Sequence, residues 1–386
     1  MLPLSALSAA VIATLVGFAG TVALVIAAAQ AVGATPGKTT SWLCAIAVAK
    51  LLGGLFLTLR YRMPVVLAWS TPGAALIAAT SGLGMEAAVG AFLVTGALIV
   101  ATAAVKPLAD LVAKIPAGIA GAMLAGVLFR FVAEVALAVP QAPALVLPMV
   151  ALFLVLRIIT PAAAMLAVLA VGIILTLILG LSGPLPSGVT LSHVEIIVPR
   201  FEFAAIIGLA VPLYLVTMAA QNLPGFAVLR ANGYEPPVRV ALLVTGLGSM
   251  LSAPFGAHTH NMAAITAAIV AGPDAHPDRD KRWVAAVAYS ACWTVIALFA
   301  ASFVALFAAM PKALIVTVTG LALSGALMAS LASAMNVAET RFAALLTFAV
   351  AASGLTLFGV GAAFWGLAIG LVTLGVEQML SRVTKG

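Results

Sequence analysis

The chain has 386 residues, of which 64% are hydrophobic and only 8% are charged. A soluble domain carries roughly 25% charged residues, so this chain cannot cover itself with a hydrated surface. The net charge of +7 comes from scattered basic residues, without a basic stripe interleaved with aromatics, which argues against nucleic-acid binding. Cys44 and Cys292 both lie in apolar runs, so neither a disulfide framework nor a cysteine-based metal site is expected. The composition predicts a polytopic all-α membrane protein.

Apolar segments recur along the whole chain, separated by polar residues or by Pro and Gly. The first run, from Ser8 to Val32, is too long for a signal-peptide core and lacks a basic lead-in, so we predict a retained helix. About fourteen transmembrane segments are predicted, at about 9–33, 38–59, 64–80, 86–105, 116–136, 143–158, 161–181, 202–222, 238–252, 257–271, 284–309, 312–334, 342–353 and 360–380.

Four of these segments, at 64–80, 238–252, 257–271 and 342–353, are short for a simple span of roughly 20 residues. Short spans interrupted by Gly or Pro are typical of the binding site of a secondary transporter.

The distribution of basic residues supports this count. With the N-terminus in the cytoplasm and alternating spans, thirteen basic residues fall inside: Arg60, Arg62, Lys106, Lys114, Arg157, Arg230, Arg239, Arg279, Lys281, Arg282, Arg341, Arg382 and Lys385. Only Lys38, Arg200 and Lys312 fall outside, while Lys50 and Arg130 lie within spans. The bias follows the positive-inside rule and predicts that both termini are cytoplasmic.

The chain divides into two predicted halves of seven spans, at 1–181 and 202–386, joined by an extracytoplasmic connector at 182–201. Because seven is odd, the second half must be inverted in the membrane. Trp69–Thr80 aligns with Ala257–Ala268 and supports this repeat.

The third and tenth spans are predicted to be broken helices. Ser70 and Thr71 precede Pro72 and Gly73, which is a signal for a capped helix start. In the tenth span a helix is expected to begin near His258–Asn261, with Thr259 or Asn261 as its cap. Two helix N-termini facing each other would form an anion site without a buried cation. The alternative is a pair of Pro-kinked helices without a ligand.

His258 and His260 lie next to the Pro-Phe-Gly break of the tenth span. Histidine titrates near neutrality, so either residue could carry a proton in a coupled transporter. His-x-His alone lacks the third and fourth ligands of a metal site. The alternative is that these residues satisfy backbone groups in the core.

The eighth span carries Tyr214, Thr217 and Gln221, whose spacing predicts one polar helix face. Such a face could hydrogen-bond a carboxylate or an amide, or it could hold neighbouring helices together. Phe18 in the first span could supply an apolar ring contact.

Three stretches resemble the BenE family of benzoate/proton symporters. They are Trp69–Gly73 (WSTPG), Gln221–Tyr234 (QNLPGFAVLRANGY) and Ser252–Asn261 (SAPFGAHTHN). The similarity extends over essentially the whole chain.

The resemblance implies an architecture similar to that of the uracil permease and anion-exchanger group. That fold has fourteen spans in two inverted seven-helix repeats and is thought to work as an elevator. A core domain would comprise about 9–105 and 202–309, and a gate domain about 116–181 and 312–380. Acidic residues that hold substrate in the uracil permease relatives correspond to Gln221 and His258, so the proton coupling of those relatives cannot simply be carried over.

The resemblance implies import of benzoate with a proton, whereas the residues alone imply only a small organic anion with an apolar body. The predicted substrate contacts are Phe18, Ser70, Thr71, Pro72, Gly73, Tyr214, Gln221, His258, Thr259, His260 and Asn261, with His258 or His260 as the proton-linked group.

The expected partners are benzoate, a proton and the lipid bilayer of a bacterial inner membrane, with a homodimer as a further expectation. No cofactor, metal, nucleic acid or enzymatic activity is expected. The alternatives are a transporter of the same fold for a nucleobase or an inorganic anion, and a channel-like pore.

Overall fold

The computed structural model describes residues 3–80, 82–105 and 116–383. Lys106, Lys114 and Lys385, three of the predicted cytoplasmic residues, lie outside this part of the chain. The helices of the first half are α1 (Leu4–Ala19), α2 (Val22–Ala31), α3 (Pro36–Tyr61), α4 (Thr71–Ala78), α5 (Met85–Ala104), α6 (Ala117–Ala138), α7 (Pro143–Ile159) and α8 (Pro161–Ile178). Those of the second half are α9 (Phe203–Ala231), α10 (Val238–Ser252), α11 (Ile265–Ala271), α12 (Trp283–Ala308), α13 (Lys312–Met335), α14 (Arg341–Ser353) and α15 (Ala362–Val383).

The helices confirm the prediction of an all-α membrane protein. Within the described residues, nine helical stretches are long and apolar enough to cross a membrane. Two further apolar helices are shorter, at Pro143–Ile159 and Ala163–Ile178. The total of fourteen spans stays a prediction.

Four short strands complete the structure: β1 (Leu67–Trp69), β2 (His260–Met262), β3 (Thr356–Leu357) and β4 (Val360–Gly361). β1 pairs with β2 in antiparallel register, with Leu67 opposite Met262 and Trp69 opposite His260. The two strands come from different halves of the chain, and each satisfies the other's backbone groups. Irregular backbone inside a membrane protein is tolerated only with such internal partners.

Two helices in the first half of the chain begin with a side-chain cap. Thr35 caps α3 by accepting a hydrogen bond from the Lys38 N–H (3.2 Å), and Pro36 is the first helical residue. Ser70 caps α4 by accepting a hydrogen bond from the Gly73 N–H (3.1 Å), which confirms the predicted capped helix start at this break; Thr71 is the first helical residue and Pro72 the second.

The predicted helix start in the tenth span is wrong. Residues 260–262 are extended, and α11 begins only at Ile265. The residue before α11, Ala264, makes no side-chain cap, so neither Thr259 nor Asn261 caps this helix. The reason is the pairing with β1, which holds His260–Met262 in a strand and delays the helix by about one turn.

The helices pack in two groups. Around the β1–β2 pair, α3 packs on α12, α5 on α10, α2 on α4, and α1 on both α11 and α12. Elsewhere, α6 packs on α13 and α14, α14 on α15, and α7 on α8. The segment between α8 and α9 is without helix or strand, and it is tied to the first group by hydrogen bonds from the Ile197 N–H to Pro254 O (2.7 Å) and from the Arg200 N–H to Glu86 O (2.9 Å).

Candidate functional site

The β1–β2 pair places four polar residues of the tenth span at the centre of the first group of helices. His258, Thr259, His260 and Asn261 are all at most 1% exposed. Successive side chains of an extended segment point to opposite sides. Thr259 and Asn261 therefore contact α9 on one side. On the other side, His258 contacts α3 and His260 contacts α10.

The Thr217 hydroxyl links the two broken spans. Its Oγ1 donates to Ser70 Oγ at 3.2 Å and lies 3.0 Å from Thr259 Oγ1. The Ser70 N–H also donates to Thr259 O (2.9 Å). Three elements distant in sequence therefore share one hydrogen-bond network at the start of α4.

A π-helical stretch at Met218–Asn222 brings two consecutive polar residues of α9 onto the strand pair. Asn261 Nδ2 lies 3.4 Å from Gln221 Oε1, and Asn222 Oδ1 accepts from the Met262 N–H at 2.9 Å. Asn222 was not predicted as a site residue, although the polar Gln-Asn pair in an apolar span is a signal that could have found it.

Tyr214 does not share the polar face predicted for the eighth span, so that prediction is wrong. Its hydroxyl forms a short hydrogen bond with Thr102 on α5, away from the strand pair. Residues three apart on an α-helix are still rotated by about 60° from one another around the axis, so Tyr214 faces α5 while Thr217 faces the strand pair. Tyr214 therefore holds α9 against α5.

His258 is bonded through both ring nitrogens. The Trp42 Nε1–H donates to His258 Nδ1 at 2.9 Å, and His258 Nε2 lies 3.1 Å from the carbonyl of Ser70. Because Nδ1 accepts from an N–H, it carries no proton, and Nε2 is the donor of a neutral imidazole. His258 therefore fixes the residue that caps α4. Trp42 was not predicted as a site residue, because nothing in the sequence links the second span to the tenth.

His260 is held less completely than His258. Its Nδ1 lies 3.4 Å from Ser249 Oγ, and its Nε2 is buried without a hydrogen-bond partner in the described part of the chain. A Cβ at Gly248 would collide with Nε2, so the absence of a side chain there makes room for the ring.

Phe18 belongs to an aromatic cluster beside the strand pair. Its ring centroid lies 6.2 Å from that of Trp69 and 4.7 Å from that of Phe303, while Trp69 lies 5.2 Å from Trp293. Phe18 is 8% exposed. A lysine of α3, Lys50, packs on the indoles of this cluster.

Among the predicted substrate contacts, only Thr71 and Gln221 are partly exposed; the rest are buried. The hydroxyl groups of Ser70, Thr217 and Thr259 are hydrogen-bonded to one another. Asn261 Oδ1, in contrast, is buried without a partner within the described residues. Accessible polarity is therefore concentrated at Thr71 on α4 and Gln221 on α9, next to an amide with spare hydrogen-bonding capacity.

Nearly the whole chain shares its fold with a membrane domain of known structure. The transmembrane domain of a cyanobacterium bicarbonate transporter, BicA, superimposes with a TM-score of 0.61 at 16% identity, covering 95% of this chain and 97% of that one. This similarity defines a core-and-gate fold built from inverted repeats.

Sequence comparisons identify the family. The model of the BenE family, described as "Benzoate membrane transport protein", matches residues 1–376. The chain is 39% identical to "Inner membrane protein YdcO" of Escherichia coli (strain K12), covering 98% of this chain and 97% of that protein. It is 35% identical to "Benzoate membrane transport protein" of Acinetobacter baylyi (strain ATCC 33305 / BD413 / ADP1), covering 96% and 94%. The chain belongs to the BenE family of membrane transporters, and it is not an enzyme.

Proposed function

We propose that this protein imports benzoate together with a proton. The observation that carries the proposal is a pair of partly exposed polar residues in a member of the BenE family: Thr71 at the capped start of α4, and Gln221 on α9 beside the strand pair. A relative at 35% identity is named for benzoate transport, and this similarity spans nearly the full length of both chains.

In the proposed site the carboxylate binds at the first turn of α4. A helix N-terminus carries a partial positive charge that favours an anion. The Gly73 N–H is already bonded to Ser70, and Pro72 has no N–H, so the Thr71 N–H and hydroxyl are the groups left to bind the ligand. Gln221 would donate a further hydrogen bond through its amide nitrogen, and Phe18 would contact the apolar ring. Asn261 already donates to Gln221 Oε1 (3.4 Å) and to Met262 O (2.8 Å), so it would hold Gln221 in place. α11 contributes no helix end to this site, since it starts too late in the chain.

The transport mechanism proposed is an elevator, in which the group of helices around β1 and β2 moves against the group around α6 and α13. The fold shared with the BicA transmembrane domain supports this proposal. The proton-linked residue is proposed to lie in the moving group, where His258 and His260 are buried ionisable side chains. An inner-membrane location, cytoplasmic termini and a homodimer are proposed with it.

Uptake of labelled benzoate into proteoliposomes tests the substrate and the coupling. Transport should accumulate benzoate when the outside is more acidic, and a protonophore should abolish this accumulation. Because benzoic acid itself crosses bilayers, protein-free vesicles under the same gradient are the necessary control. Accumulation no greater than in protein-free vesicles would disprove benzoate transport.

A competition panel separates the alternatives. Unlabelled benzoate should inhibit uptake, whereas uracil and sulfate should not. Inhibition by uracil or sulfate at lower concentration than by benzoate would instead indicate the nucleobase or inorganic-anion alternative. A flux that does not saturate with benzoate concentration would indicate a channel-like pore.

The elevator movement can be tested at a crevice between the two groups of helices. Thr80, after α4, and Ala351, on α14, both line it. With the native cysteines replaced, cysteines at these two positions should be bridged by a thiol-specific cross-linker, and the bridge should stop uptake. Full uptake by the bridged protein would exclude relative movement at this interface. Either single cysteine treated with the same reagent is the control.

A further inference from the structure

A buried lysine lies in the middle of α3, in the core of the first group of helices. Lys50 is 2% exposed. Its Nζ lies 2.9 Å from the ring centroid of Trp293 and 4.5 Å from that of Trp69. The side chain is therefore enclosed by two indole faces, which attract a cation but accept no conventional hydrogen bond.

The elements that pack on α3 provide no acidic partner for this amine. They are α2, α10, α12, the strands β1 and β2, and the turn Ala253–Phe255. None of them contains an Asp or a Glu, and neither does α3 itself. Two acids contact α3 from other segments, Glu86 at Lys38 and Glu195 at Gly37, but both lie at the first turn of the helix, about three turns from Lys50. The ionisable side chains that they carry are Arg239, His260, Tyr289 and Cys292, to which α3 adds Lys38, Cys44, Arg60 and Tyr61, and the loop before β2 adds His258.

A lysine at this depth without an acid is unusual. Charged side chains inside membrane proteins are normally paired with one another or mark the path of a substrate or a proton. An ammonium group has three donors, and each needs a partner when it is buried. The missing negative charge is one that a bound carboxylate would bring.

Trp69 connects Lys50 to the proposed substrate site. It directly precedes Ser70, the cap of α4, and its Nε1–H donates to Thr21 Oγ1 (2.7 Å) at the break between α1 and α2. Phe18, on the turn before that break, packs on both Trp69 and Trp293. One indole thus links the amine to the start of α4 and to the first span.

We propose that Lys50 is the proton-carrying group of the transport cycle. Its amine takes up a proton from the extracytoplasmic side, the resulting ammonium offsets the carboxylate charge of the substrate, and the proton leaves the amine on the cytoplasmic side. This inference rests on the proposed function, since it presupposes a carboxylate substrate and proton symport.

The two histidines are less suited to this role. His258 has both ring nitrogens occupied, so it can gain a proton only by losing the hydrogen bond from Trp42. His260 has an Nε2 without a partner in the described part of the chain, but this nitrogen is packed so closely against Gly248 that even a methyl group would collide with it, which leaves no room there for a carboxylate. Lys50 can be protonated and deprotonated without breaking a hydrogen bond within the described structure.

Substitutions of Lys50 in proteoliposomes separate binding from coupling. Lys50→Arg keeps a permanent charge, so exchange of external for internal benzoate without a pH gradient should persist, while gradient-driven accumulation should disappear. Lys50→Met should lower both, by about tenfold or more for the loss of one charged interaction. Lys38→Met removes a partly exposed lysine at the start of the same helix, which pairs with Glu86; it is the matched control and should behave like the wild type. Accumulation by Lys50→Arg or Lys50→Met within about twofold of the wild type would overturn the proposal.

A second measurement does not depend on Lys50 variants being folded. Benzoate binding to the wild-type protein in detergent, followed by calorimetry in buffers of different ionisation enthalpy, reports the protons taken up per ligand. This uptake should persist in His258→Gln and in His260→Gln. Its loss in either variant, with benzoate still bound, would assign the proton to that histidine and refute the role of Lys50. Absence of benzoate transport by the wild type would instead refute the proposed function itself.

Discussion

The two broken spans at the centre of the molecule are built in different ways. In the third span, β1 leads into α4 through Ser70, which caps the helix with its own side chain, and through Pro72, which suits a helix start. In the tenth span, β2 leads into α11 through Ala264, which caps nothing. The second segment is instead held by side chains of α3, α9 and α10, which bond His258, Thr259 and His260.

This difference shows where the sequence carries the information for each half of the site. The start of α4 is encoded within four consecutive residues. The conformation of the tenth span depends on partners that are far away in the chain. Substitutions of neighbours should therefore disturb the tenth span more than the third, and the following predictions test this expectation from the largest effect to the smallest.

Replacing His258 by Leu should have the largest effect. It leaves the Trp42 Nε1–H and the Ser70 carbonyl buried without partners, at a cost of roughly 2–4 kcal/mol for the two groups. Thermal unfolding in detergent should show the loss of stability, together with loss of uptake. His193→Leu, at a histidine whose side chain is 56% exposed, is the control and should leave both unchanged. A stable His258→Leu protein would mean that α4 needs no support from the tenth span.

Gly248→Ala should destabilise the tenth span without altering any polar group. The added methyl collides with the His260 ring, and overpacking of a core costs about 1–3 kcal/mol. The matched control is Gly325→Ala on α13, where a Cβ meets nothing within 4 Å and should stabilise the helix slightly. The unfolding temperature should fall in Gly248→Ala and rise slightly in Gly325→Ala, both relative to the wild type. Equal unfolding temperatures of the two variants would contradict the close packing of His260.

Ser70→Ala should cost about 1 kcal/mol, the usual value of an N-cap, with a further loss for the donor on Thr217. Ala264→Ser should gain nothing, because Ala264 has helical rather than extended dihedral angles and cannot place a hydroxyl as a cap. Chemical denaturation of both variants measures the contrast. A stabilised Ala264→Ser protein would show that α11 can be capped from its own sequence.

The hydroxyl link between the two spans should be weaker. A double-mutant cycle of Thr217→Val and Thr259→Val should give a coupling of about 0.5–1.5 kcal/mol, as for one neutral hydrogen bond. If the two substitutions have additive effects on the free energy of unfolding, the 3.0 Å contact contributes nothing to stability.

The smallest effect should come from the loop after α11. The backbone N–H of Asp280 and the ammonium group of Lys281 hold the pKa of Asp278 below its usual range. A lowered folded-state pKa stabilises the protein above the unfolded pKa, and the gain disappears as the pH falls through the folded pKa. Asp278→Asn should therefore unfold at a slightly lower temperature near neutral pH and at the wild-type temperature in acid. A difference in unfolding temperature between Asp278→Asn and the wild type that grows in acid would contradict this prediction.

The sequence was sufficient for features that depend on composition or on a few consecutive residues. The charge deficit predicts a membrane protein, since lipid-facing helices need no hydrated surface. Ser70 and Pro72 predict the start of α4, because cap and first turn lie within the reach of local side chains. The Trp69, Gln221 and Ser252 motifs indicate the family, which the comparisons confirm.

Only the tertiary structure decided how the tenth span is used. Pairing with β1 turns His260–Met262 into a strand, and along His258–Asn261 the imidazoles lie on one side while Thr259 and Asn261 lie on the other. From α3, Trp42 bonds His258 and Lys50 packs on the indoles of Trp69 and Trp293, and from α9, Asn222 bonds Met262. These contacts join residues far apart in the chain, so neither local propensity nor spacing specifies them, and they form only when the helices and strands pack together.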